Sequence, residues 1–164
     1  MTEAPSRALV TAAAAELLQK LQKRHGALMF HQSGGCCDGS SPMCYPHGEF
    51  IVGDRDVLLA ILDVGNGGVP VWISGSQFET WKHTQLVIDV VPGRGGGFSL
   101  EAPEGMRFLS RGRAFTDAEN VALNEHPPVT GAGYERGERP PDTGTHVVAE
   151  AVDACPIPAA RIAR

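Results

Sequence analysis

The chain has 164 residues, a formal net charge of −5 at pH 7 and a mean hydropathy of −0.11, which fits one globular domain with an ample core. Its 20 glycines and 12 prolines argue against a helical bundle and for a turn-rich β fold. The acidic balance leaves no basic field for nucleic acid or anionic lipid, and no apolar run reaches the roughly 20 residues needed to cross a bilayer.

The chain begins with a helix. Val10, Ala14, Leu17, Leu18 and Leu21 share one face, Lys20, Lys23, Arg24 and His25 load the C-terminal end, and Gly26 supplies the stop. Glu3 and Glu16 bracket this Ala-rich stretch, unlike the flanks of a secretory signal, so a cytoplasmic location is expected. Short apolar runs follow. Residues 27–31, 49–52, 57–62, 69–73 and 86–91 read as strands, with a short buried helix as the alternative for the third. Phe98, Leu100 and Ala102 alternate with Ser99 and Glu101, the pattern of a half-buried strand, so residues 92–97 read as the turn of a hairpin. A shorter strand spans 107–109, and Thr116 to Glu119 has capping-box spacing at the start of a helix that stops before Pro127. Trp72, Phe78 and Trp81 suit a core or interface rather than a stacking platform, given no basic groove.

The character changes near residue 124. Six of the twelve prolines lie beyond it, and residues 124–144 read as an extended, surface-wrapping segment, with one edge strand in 145–152. The expected organisation is a single β-rich domain over 1–123 and a Pro-rich tail over 124–164 that packs on it. Sequential strands joined by short turns favour a compact α+β fold with mostly antiparallel strands.

The chemistry concentrates in one loop. Cys36, Cys37 and Cys44 fall within nine positions, while Cys155 stands apart. Gly34, Gly35 and Gly39 would let the backbone turn so that the thiols converge. Thiolate, imidazole and carboxylate together suit zinc or iron, which makes Cys36, Cys37 and Cys44 candidate ligands with His31, Asp38 or His47 as a fourth. The spacing matches no standard zinc finger. Other roles use the same residues: one cysteine as a small buried hydrophobe, a Cys37–Cys44 disulfide under oxidation, His31 as a core histidine, or a Cys44–His47 thiol nucleophile. The glycine-rich stretch at 93–97 lacks the dinucleotide fingerprint, and no Gly-Lys-Ser/Thr ending marks a P-loop.

Residues 26–44, with the Gly95-to-Glu101 and Ser110-to-Phe115 stretches, resemble a bacterial family catalogued as domain-of-unknown-function family 779. The resemblance spans roughly residues 10–115. Members of that family are often encoded beside aldehyde dehydrogenases, which implies an accessory role with such an enzyme as partner. More distantly, Gly35-Cys36-Cys37-Asp38-Gly39 is similar to the loop of HesB-like A-type iron–sulfur carriers, small β-rich proteins with a leading helix. The carriers end in a Cys-x-Cys-Gly-x-Ser-Phe motif. Here Ser110-Arg111-Gly112-Arg113-Ala114-Phe115 stands in its place, with both cysteines absent, so an intact carrier-type cluster is not expected. Two functions follow: a metal- or thiol-dependent accessory protein, or a non-enzymatic interaction module that docks the dehydrogenase or a second copy and uses the cysteine loop structurally.

Overall fold

A computed structural model describes residues 4–32, 42–65, 67–93, 99–141 and 146–148. The first strand, β1 (Ala8–Thr11), runs directly into helix α1 (Ala12–His25). The Thr11 hydroxyl caps the helix by accepting from the Ala14 N–H at 3.2 Å. Gly26 ends it at φ +83°, in the left-handed region open to glycine, and its N–H donates to the Gln22 carbonyl. Sequence periodicity started the helix at Val10. All four β1 residues are buried, and a strand covered on both faces shows no alternation to distinguish it from a helix turn.

Two sheets form the body of the molecule. One has the order β7 (Met106–Ala114), β6 (Thr84–Pro92), β1, β9 (Val147–Val148). The other has the order β3 (Met43–Pro46), β2 (Leu28–Gln32), β5 (Gly68–Ile73), β4 (Val57–Asp63), β8 (Val129–Thr130). Among the described residues β1–β6, β1–β9 and β2–β5 are parallel, while β6–β7, β2–β3, β4–β5 and β4–β8 are antiparallel. The α+β class stands, and the expectation of mostly antiparallel pairing gives way to mixed sheets. The reason is connectivity: α1 carries the chain from one sheet to the other, and α2 (Gly75–Trp81) carries it back, as helical crossovers do.

The principal core lies between the sheets and under α1. Val10, Ile88 and Phe108 come from the first sheet, Phe30, Leu62 and Val71 from the second, and Leu18 and Leu21 from α1. Phe30 and Phe108 meet edge to face across the interface, ring centroids 5.0 Å apart. In β4 an extra residue, Leu59, breaks register between Leu58 and Ala60, so Val57, Leu59, Ala60 and Leu62 all reach this core. That bulge explains why the run at 57–62 is unbroken and leaves a short buried helix as an alternative to a strand. Trp72, Phe78 and Trp81 are all buried, as core residues should be.

Two expected strands are absent. At residues 49–52 the chain turns instead, because β3 ends at Pro46, whose carbonyl accepts from the Glu49 N–H at 3.0 Å. The run at 98–102 is a turn entering a short 3-10 helix at Ala102–Glu104; Phe98 lies outside the described residues. There the alternation is inverted: Ser99 and Glu101 are the buried members, and Leu100 is only partly covered. The hairpin partner of β6 is therefore β7, paired from Thr84 with Ala114 to Pro92 with Met106. Sequence ended this strand at Leu109 because Ser110 to Arg113 is polar. Arg111 instead pairs with Asp89 at 2.7 Å, and Arg113 bonds Gln85 and Glu119. Glu119 also closes the capping box with Thr116 at the start of α3 (Asp117–Asn124).

Beyond α3 the chain contributes to both sheets. Val129 and Thr130 pair with β4, helix α4 (Gly131–Glu135) follows, and Val147 and Val148 pair with β1.

Replacing Phe30 by Ala should cost about 3–5 kcal/mol in urea unfolding, since the cavity opens where the sheets meet. A second expectation concerns acid. Burial alone would raise the Asp89 carboxyl, but hydrogen bonds from Arg111, the Val90 N–H and the Thr11 hydroxyl hold it below the usual carboxylate range. A lowered folded pKa stabilises fully above the unfolded value of about 3.9 and is lost as pH falls through the folded value. Asp89→Asn should thus melt below the wild type at pH 7, and the gap should narrow below about pH 4.

Candidate functional site

Strand β2 has alternating side chains and is buried along its whole length. Phe30 pairs with Cys44 and Val71, and these three face the core between the sheets. His31 pairs with Met43 and Trp72 and faces the other way, toward a second cluster containing Met29, Leu58, Trp72 and Val129. Cys44 and His31 therefore lie on opposite faces of one sheet and do not converge.

The surroundings of Cys44 suit a packed thiol. It is fully buried; its N–H donates to the Ser99 hydroxyl at 2.9 Å, and its carbonyl accepts from the Leu100 N–H at 3.0 Å. The Ser99 hydroxyl donates to one oxygen of Glu101, and the other accepts from the Phe108 N–H at 3.1 Å. Ser99 and Glu101 thus satisfy backbone groups of two sheets from within the core. Burial pushes the Cys44 thiol well above its ordinary pKa, and the Glu101 charge adds to the effect. A thiol that stays protonated is neither a good nucleophile nor a ready metal ligand.

On the other face His31 is only 3% exposed and places Nε2 3.0 Å from Asp56 Oδ2. An ionised carboxylate only accepts, so Nε2–H donates to Asp56. The same Asp56 oxygen accepts from the Gly53 N–H at 3.0 Å, which fixes the carboxylate. Phe50 lies over the imidazole at a centroid distance of 4.2 Å, and Tyr45 stacks on Phe50 in turn. The loop carrying Asp56 is tied down by α4: Gly131 N–H donates to the Asp56 carbonyl at 2.8 Å and Ala132 N–H to the Asp54 carbonyl at 3.2 Å. A Cβ at Gly131 would collide with the Gly53 carbonyl, so this close approach requires glycine.

His47 sits exposed on the turn after β3, apart from the imidazole of β2. Cys36, Cys37, Asp38 and Cys155 lie outside the described residues. The segment that holds the first three leaves β2 after Gln32 and returns at Met43, the partner of His31, so its two anchors flank the His31–Asp56 end of the sheet. Among the described residues no group of three His, Cys, Asp or Glu side chains is placed to hold a metal ion. Asp56 escaped the sequence reading. Its only signal is a turn-forming Gly53-Asp54-Arg55-Asp56 run, which gives no hint of a histidine 25 positions away.

Cavities border this sheet among the described residues. One of about 540 Å³ lies beside the outer part of β4, bordered by Arg7, His126 and Pro127. Another, about 290 Å³, sits next to Phe50 and is walled by Met29, Trp72 and Tyr134, with Asp54 and Glu135 at its margin.

The architecture is that of an α+β protein with two mixed sheets, one of which carries a part-buried His31–Asp56 pair. Residues 17–114 match the model of the family described as Domain of unknown function (DUF779), and the chain belongs to that family. No curated protein and no solved structure matches it. No helix among the described residues is long and apolar enough to cross a membrane.

The thiol environment yields a direct expectation. In a Cys36→Ala/Cys37→Ala/Cys155→Ala variant, Cys44 should react with an aromatic disulfide reagent on the order of a hundredfold more slowly in native buffer than in guanidinium. Equal rates would show that the thiol is accessible.

Proposed function

We propose that the protein is a small metal-dependent accessory protein whose Gly/Cys loop binds zinc or iron, with Cys36, Cys37 and His31 as its principal ligands. The observation that carries this reading is the His31–Asp56 hydrogen bond at the anchored end of that loop. Metal-binding histidines characteristically donate their second ring N–H to a carboxylate, which fixes ring orientation and tautomer and raises ligand basicity. Asp56 fills that role, and its own bond from Gly53 holds it in place. Asp38 remains the candidate for a further ligand; His47 lies past Pro46, the partner of Leu28, at the other end of β3 from the loop anchor, and Cys44 is kept out by its place on the inner face. Thiolates would bind as deprotonated groups, so loading would release protons and tighten with rising pH.

An aldehyde dehydrogenase is the partner that the family resemblance implies for such a protein; a second copy of the chain is the other. Carrier-type cluster chemistry finds no support at Ser110 to Phe115, where Ser110 donates to Gln32 and both arginines are engaged in structural pairs. A second reading, a non-enzymatic docking module, is favoured by Ile51, a large apolar side chain 90% exposed beside Phe50.

Elemental analysis of protein purified without a metal-affinity tag separates the two. The metal reading expects near-stoichiometric zinc or iron. Loss of affinity by about 10–100-fold is expected in Asp56→Asn, with full retention in Cys44→Ala. A metal-free protein that keeps its melting temperature in chelator overturns it in favour of the docking module.

A further inference from the structure

The cavity beside Phe50 has a chemical character of its own. Its walls are aromatic and apolar: Phe50, Trp72 and Tyr134, with Met29 at the sheet. Trp72 and Tyr134 meet edge to face at 5.4 Å, so the two rings present differently oriented surfaces. The charges at its margin are one-sided. Asp54 and Glu135 are both exposed, and among the described residues neither forms an ion pair and His47 is the one basic side chain bordering the space. Arg139 lies 3.7 Å over the Tyr134 ring but borders the other cavity, held by the Tyr134 and Glu138 carbonyls. Tyr134 is thus a ring that already attracts a cation on one side.

We infer that this cavity is a binding site for a small organic cation, an ammonium group on a compact apolar body. Aromatic faces attract cations through their quadrupole, and quaternary or alkylated ammonium groups gain most because they are weakly hydrated. The two carboxylates add long-range attraction without demanding a bidentate partner, which disfavours a guanidinium-specific site. A volume of about 290 Å³ lies at the low end of small-molecule pockets, which suits a metabolite-sized amine. The cavity is a stable one because α4 and the loop before β4 are hydrogen-bonded to each other, Gly131 to Asp56 and Ala132 to Asp54. Neither a metal nor the cysteine loop is needed for this binding.

The test uses the full chain, choline as probe and 3,3-dimethylbutan-1-ol as its neutral isostere. Titration followed by tryptophan fluorescence and by ligand-observed NMR should show choline binding at least about fivefold more tightly than the alcohol. In Asp54→Asn/Glu135→Gln, two exposed positions that leave the fold intact, choline should weaken while the alcohol is unchanged. Tyr134→Leu should reduce the preference as well. The proposal is overturned if neither probe binds at millimolar concentration, if both bind equally, or if the charge-neutral variant keeps the full preference. Repeating the titration in Cys36→Ala/Cys37→Ala keeps the result separate from the metal reading, since choline binding should persist there.

Discussion

The structure depends on one strand being buried on both of its faces. β2 sends Leu28, Phe30 and Gln32 toward the sheet–sheet core and Met29 and His31 toward the outer cluster. Burial of both faces fixes its register, because a slip of one residue would put His31 against Phe108 in the inner core and take the imidazole away from Asp56. The strand thereby holds two unrelated chemistries a single residue apart. The inner one is dry and structural. The outer one carries an imidazole aligned by a carboxylate.

That division explains what could be read from the sequence. Helix α1, with its basic last turn and glycine stop, was legible because helical periodicity, terminal charge and Gly26 agree. The capping box at Thr116 was legible for the same reason: it is a local signal. Strands β2, β5 and β6 followed from β-branched and aromatic runs. What failed were the places where long-range contacts override local pattern. Ser99 and Glu101 mimic the outward side of a strand, yet both point inward, because backbone groups of Cys44 and Phe108 need partners there. β1 was invisible as a strand because its partners, β6 and β9, lie more than seventy positions away.

The candidate site was half legible. Local clustering singled out His31 and Cys44, but spacing carries no information about which face of a sheet each residue occupies until register is known. The pairing of Phe30 with Cys44 supplies it. Asp56 was beyond reach, since the contact that gives it meaning is made between β2 and a loop on the far side of β5. The buried Ser99–Glu101 pair shows the same limit in a structural role. A carboxylate 1% exposed is costly unless its oxygens are used, and both are. This gives a physical account of Ser99 and Glu101, which sequence alone places on the outer side of a strand and within a family resemblance.

Gly131 and Gly53 touch backbone to backbone, with no side chain between them. Such a contact has no rotamers to absorb displacement, so the loop bearing Asp54 and Asp56 and the helix bearing Tyr134 and Glu135 behave as one stiff bracket. One arm of the bracket aligns an imidazole and the other walls a cavity. A molecule that wedged the cavity wider would therefore have to tilt the imidazole's carboxylate as well, making the two neighbouring features mechanically audible to each other through bare main chain.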